Sequence, residues 1–276
     1  MIDAPYRTVA VASTFSPRFL QVLAEGKRIR DRLCQQLHLI YAGKCDDETT
    51  RKFGAALQQL ELPADSIIHY LEREDPAVAI LEAARENEID LLVAGALEKE
   101  VVLRPFLGNV ARRLVREAAC SVMLFTKPDD IPKPLCRIAF MAEYSEHGRS
   151  ALRMALRLAA LEACEKLYVI RVYTSFDEAR AKARPSAPEA GDEPTRTLDE
   201  EEIALEEFID SAGKTDVPIE ARCIRGNTGY AALDFVQSIE AHLLVVPIDP
   251  KTAEAGLGSH IAWVTDVIPC NLWVIR

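Results

Sequence analysis

The chain has 276 residues, enough for one large domain or two ordinary ones that each bury most of their apolar surface. Its 43 acidic residues outnumber 33 lysines and arginines, and the resulting formal charge of −10 opposes binding to a polyphosphate backbone, so nucleic acid is not an expected partner. The seven cysteines are odd in number and never form a C-x-x-C pair, which indicates neither a disulfide framework nor a metal site.

No stretch approaches the roughly 18 apolar residues that a membrane span needs. The start MIDAPYRTVAVAST has no basic region, apolar core or cleavage site, so a cytoplasmic protein is expected.

In chain order, strand-like runs alternate with helical patterns, the signature of an α/β fold with a mainly parallel sheet. The first half reads RTVAVAS (7–13), LHLIYAG (37–43), SIIHYLE (66–72), IDLLVAG (89–95) and SVMLFTK (121–127). KPDDIPKP (127–134) follows, and its three prolines make a short stiff linker. The second half reads RIAFMAE (137–143), KLYVIRV (166–172), IEARCIR (219–225), HLLVVPI (242–248) and NLWVIR (271–276). Five βα units per half is the simplest count, with domains at 1–128 and 135–276 joined by a linker at 129–134.

The second copy is longer, and the extra length falls in Ser175–Glu202, a stretch rich in Pro, Ala and charge. Such a composition buries little to offset its ordering entropy, so a mobile excursion at about 175–200 is expected. Thr197 and Glu200 form a T-x-x-E capping box that marks the return to helix.

Ligands of open parallel sheets bind beyond the carboxyl ends of the strands. After the fourth strands, GALEKEVVLRPFLGN (95–109) and PIDPKTAEAGLGS (247–259) each feed the last helix of their copy. Gly108-Asn109 and Gly258-Ser259 at those helix starts suit a phosphate, through free N–H groups and the positive end of the helix dipole. They equally suit ordinary N-capping by Asn or Ser after a turn glycine. GLGSHI (256–261) lacks the third glycine of a dinucleotide fingerprint, and the five histidines are dispersed, so no catalytic or metal constellation is expected.

EDPAVAILEAARENEIDLLVAG (74–95), with the repeated tails LGNVARRLVREAACSVMLF (107–125) and LGSHIAWVTDVIPCNLWVI (257–275), resembles the universal stress protein family, specifically its tandem members. The resemblance implies two Rossmann-like domains, each a five-stranded parallel sheet of order 3-2-1-4-5 flanked by helices. It also implies an intrachain pseudo-dimer whose final strands pair antiparallel, with further homodimerisation common in the family.

Nucleotide-binding members carry G-x-x-G-x9-G-S/T after the fourth strand and an acid after the first. Here Gly95, Gly108, Asn109 and Val110 stand at the first set of positions and Thr14 at the acidic one. In the second copy the equivalents are Glu143, Gly258, Ser259 and His260, behind a loop two residues shorter. Glu98 replaces the second glycine. A carboxylate about 4 Å from a phosphate costs on the order of 4 kcal/mol at an effective dielectric near 20, roughly a thousandfold in affinity.

The expected function is a regulatory module, not a committed enzyme, that takes ATP or AMP through a degenerate site. The alternative is a dimerisation or protein-interaction module without nucleotide.

Overall fold

The computed structural model describes residues 4–13, 15–96, 99–101, 104–106, 108–183, 195–226, 228–249 and 268–276. Two compact units emerge, one formed by Met1–Pro134 with Thr265–Arg276 and the other by Leu135–Val264.

In the first unit, β1 (Tyr6–Ser13), β2 (Cys34–Ala42), β3 (Ile68–Leu71), β4 (Leu91–Gly95) and β7 (Ser121–Phe125) run parallel in the order β3-β2-β1-β4-β7. This is the expected 3-2-1-4-5 order. Helices α1 (Phe19–Leu33), α2 (Asp47–Gln59), α3 (Pro76–Glu86) and α4 (Asn109–Glu117) connect the strands. Because helices cover both faces, the central strands are continuous apolar runs, and Val9, Ala10, Val11, Leu91, Leu92 and Val93 are all fully buried. The Asp90 carboxylate accepts from the Arg7 and Thr8 amides at 3.0 and 2.8 Å, fixing the start of β4 against β1.

The final strand of the chain, β12 (Asn271–Ile275), lies antiparallel beside β7, with Trp273 opposite Met123 and completely buried. The final strands of the two copies therefore pair with each other, as the resemblance implied.

In the second unit, β8 (Arg137–Met141), β9 (Lys166–Tyr173), β10 (Ile219–Arg225) and β11 (Leu243–Pro247) run parallel in the order β10-β9-β8-β11. Helices α5 (Glu146–Leu161), α6 (Ser175–Lys182), α7 (Leu198–Ser211) and α8 (Thr228–Ser238) accompany them.

Local sequence signals set several helix starts. Asp75 caps α3 by accepting from the Ala77 amide at 2.8 Å, with Pro76 in the first turn, where its missing N–H costs nothing. Thr197 and Glu200 form the expected reciprocal capping box on α7.

Two features differ from the sequence reading. The 175–200 stretch opens with α6, started by a second capping box between Thr174 and Asp177; residues 184–194 lie outside the described ones. The loop after β4 contains a small antiparallel hairpin, β5 (Lys99–Val101) and β6 (Arg104–Phe106), beyond the five strands expected.

Candidate functional site

In the first unit, Gly95 ends β4 beside Phe125 of β7, at the carboxyl edge of the sheet. A Cβ at Gly95 would stand 2.9 Å from Cγ2 of Val22, so α1 approaches the backbone closely there. The chain returns through β5 and β6 to Gly108. Gly108, not Asn109, is the N-cap of α4, with φ −62° and ψ 156°, and no side chain caps the helix. Its carbonyl accepts from the Arg112 amide at 3.0 Å, opening the helical ladder.

Asn109 is thus already in the first turn and exposed, and Val110 follows it. The capping alternative for Asn109 is corrected by this shift of one residue: a side chain at the first helical position points away from the amides an N-cap would reach. Among the described residues, the start of α4 keeps its dipole and its first-turn amides without a capping side chain.

At the carboxyl ends of β1 and β2, an aromatic cluster fills the face covered by α1 and α2. The Phe15 ring lies 5.1 Å from Phe19, 4.8 Å from Tyr41 and 4.7 Å from Phe53. Tyr70 on β3 completes the group, 6.1 Å from Tyr41. Phe15 takes a φ of 48°, unusual for a bulky residue, and its amide donates to the Ser13 hydroxyl. The Lys52 ammonium lies 5.4 Å from the Phe15 ring. Thr14 and Glu98 lie outside the described residues.

In the second unit, Glu143 follows β8 and is held from two sides. Its carboxylate accepts from the Ser145 hydroxyl at 3.1 Å and its carbonyl from the Ser145 amide at 2.8 Å, while Ser145 itself caps α5 through the Gly148 amide. The adjacent Tyr144 ring has the Arg171 guanidinium at 5.0 Å and that of Arg196 at 5.2 Å.

Both cations pair with Glu201 on α7, Arg171 at 2.9 Å and Arg196 at 3.6 Å, and the Glu201 side chain is only 7% exposed. The Tyr173 hydroxyl donates to the Arg196 carbonyl at 3.1 Å. Burial, followed by the charge of Glu201, pushes the Tyr144 phenol well above its ordinary range. Burial with Glu201 and Glu202 nearby likewise pushes the Cys223 thiol up to about 11. Gly258, Ser259 and His260 lie outside the described residues.

A repeated α/β architecture is also what comparison with known proteins returns. The sequence profile of the universal stress protein family matches residues 6–126 and again 137–276. The chain belongs to the universal stress protein family. A curated universal stress protein of Methanocaldococcus jannaschii is 40% identical over 53 residues, 19% of this chain and 31% of that relative's length. A crystal structure of a universal stress protein from Archaeoglobus fulgidus covers 98% of both chains at 15% identity, with a TM-score of 0.65. A putative universal stress protein from Pseudomonas aeruginosa covers 98% of this chain and 93% of its own at 16% identity, with a TM-score of 0.67.

Within this tandem universal stress protein, strand register makes the two clusters equivalent. Leu37 pairs with Val9 as Leu167 pairs with Ile138, so Tyr41 corresponds to Arg171 and Phe15 to Tyr144. Tyr70 opposite Tyr41 corresponds to Cys223 opposite Arg171. The first domain fills this place with rings and the second with two guanidiniums that share one buried carboxylate. The sequence reading singles out none of these residues as site residues. The available signal was the side-by-side alignment of the paired strands.

Among the described residues no group of three or more His, Cys, Asp and Glu is placed to hold a metal, and no helix is long and apolar enough to cross a membrane.

Proposed function

We propose that this tandem universal stress protein is a cytoplasmic, ligand-responsive regulatory module and not an enzyme, and that its first domain takes an adenine nucleotide, ATP or AMP. The observation that carries the reading is the start of α4: a glycine N-cap, no capping side chain, and a position at the carboxyl end of a parallel sheet. Such a helix start attracts a phosphate through its amides and dipole. Phe15 and Tyr41, partly exposed at the same edge of the sheet, supply faces on which a planar base stacks.

Thr14, Gly95, Gly108, Asn109 and Val110 are the residues assigned to that site. In the second domain the assigned residues are Glu143, Gly258, Ser259 and His260. Glu143 is already engaged there by Ser145, and the neighbouring cluster carries its own counter-charge, so weaker binding is assigned to it.

The test is release of small molecules from the purified, denatured protein, followed by calorimetry with ATP and AMP. Stoichiometric adenine nucleotide or binding below millimolar supports the reading. A blank in both overturns it in favour of an interaction module. Gly108→Ala serves as the site control, because φ −62° is open to any residue: the backbone is untouched while a methyl obstructs close approach of a phosphate. Phosphate release above that of Gly108→Ala would overturn the non-enzymatic assignment.

A further inference from the structure

Two histidines that nucleotide binding leaves unused meet on one face of the first unit's sheet. Tyr41 and Tyr70 stand side by side on β2 and β3, facing Phe53 of α2. Side chains alternate across a strand, so Ile40 and its register partner His69 occupy the opposite face, together with His38 two residues before Ile40. There His69 Nε2 stands 3.1 Å from His38 Nδ1, with the rings inclined at 49°.

Two nitrogens bound at about 2.0–2.1 Å to one ion stand about 2.9 Å apart at a right angle and about 3.4 Å apart at the tetrahedral angle. The observed separation lies inside that span. His38 Nε2, the nitrogen that His69 does not engage, is buried without a partner among the described residues. Burial lowers the proton affinity of both rings, and for His69 the charge of His38 adds to this, so both present neutral nitrogens at pH 7. Both residues are partly exposed, which leaves room for water as the remaining ligands.

We propose that His38 and His69 form a two-imidazole site for a borderline divalent transition-metal ion such as Zn²⁺ or Ni²⁺, with water completing its coordination. Imidazole donors favour these ions over Mg²⁺ and Ca²⁺, which take oxygen ligands. A bound ion bridges β2 to β3, the last strand of the first unit's sheet on that side. Its first effect is to fasten that strand.

The experiment titrates the full chain, in its Cys45→Ser form to remove the exposed thiol, with Zn²⁺ and Ni²⁺ by calorimetry. One ion per chain is expected. Affinity should fall at least tenfold in His38→Gln and in His69→Gln, stay unchanged in His242→Gln, and fall on acidification. An independent readout needs no imidazole variant: paramagnetic Ni²⁺ should broaden the ring protons of His38 and His69 before those of His147 and His242. Binding no tighter than millimolar would overturn the proposal. So would affinity indifferent to both substitutions, or broadening confined to other histidines.

Discussion

Gly148 offers the sharpest test of the packing that positions Glu143. It lies in the first turn of α5, and a Cβ built there would stand 2.0 Å from the Glu143 carbonyl oxygen and 3.0 Å from its carbonyl carbon. The obstacle is backbone, so no rotamer change relieves it, and the turn carrying Glu143 has to move by more than an ångström. Overpacking of this kind costs about 1–3 kcal/mol. Displacing the Gly148 amide from the Ser145 hydroxyl weakens a helix cap worth about 1 kcal/mol. Alanine returns about 1 kcal/mol through helix propensity.

The net expectation for Gly148→Ala is a loss of about 1–3 kcal/mol. Gly54 is the control. It lies within α2 with nothing in the space a Cβ would take, so Gly54→Ala should stabilise by about 0.4–1 kcal/mol. Urea unfolding followed by circular dichroism measures both. Hydrogen exchange on the first turn of α5 assigns the Gly148 loss to its unit, since a two-unit chain need not unfold in one step. A Gly148→Ala protein as stable as wild type, with those amides still protected, would refute the close approach.

Stability should also fall on mild acidification. His38 and His69 have lowered native proton affinities, so the unfolded chain binds more protons; their contribution is intact above the ordinary imidazole value of 6.5 and is lost as pH falls through it toward the lowered native values. Urea midpoints between pH 7.5 and 5 should show this slope in wild type and less of it in His69→Gln; equal slopes would remove the pair as its source. Asp46 and Asp75 are held low first by the amides they cap, so their contribution disappears only near and below about pH 4 and does not imitate the effect.

Thiol labelling of the native protein at pH 7.5, read by peptide mapping, should modify exposed Cys45 first. Cys34 and Cys120, pushed up to about 12 and about 11 mainly by burial, should react at least about tenfold more slowly. Glu201→Gln leaves two guanidiniums around Tyr144 without their carboxylate, and because both are partly solvated the expected loss is about 2 kcal/mol by urea unfolding. No change would make the cluster a surface feature.

What could be read from the sequence was what is decided locally. The buried strands are legible because a sheet covered on both faces demands apolar runs, and the caps at Asp75 and Thr197 are legible because three or four residues suffice to make them. The capping box at Thr174 and Asp177 carries the same local signal. It was outweighed by the composition of the stretch it opens, so α6 went unseen. The 99–106 hairpin was hidden because pairing of three-residue strands depends on the turn between them.

At the site, the spacing of Gly95 and Gly108 located the turn, but not which residue caps the helix, because capping changes with a shift of one position.

The two clusters were illegible for a different reason. Phe15, Tyr41, Tyr70 and Phe53 come from a loop, two strands and a helix, and only register brings them together. Register also shows how the copies differ at this place. Position 171 is an arginine where the first copy has Tyr41, and α7 supplies Glu201, almost fully buried, against its guanidinium beside Tyr144. Arg196 then shares that carboxylate and covers the Tyr144 ring.

In the second copy the end of β9 thus carries one carboxylate shared by two cations around one ring. The first copy needs none of these and keeps an apolar, stackable surface. The repeated Gly-Asn and Gly-Ser turns report a common backbone, while the chemistry a ligand meets beside each is set by residues that repeat in position and not in kind.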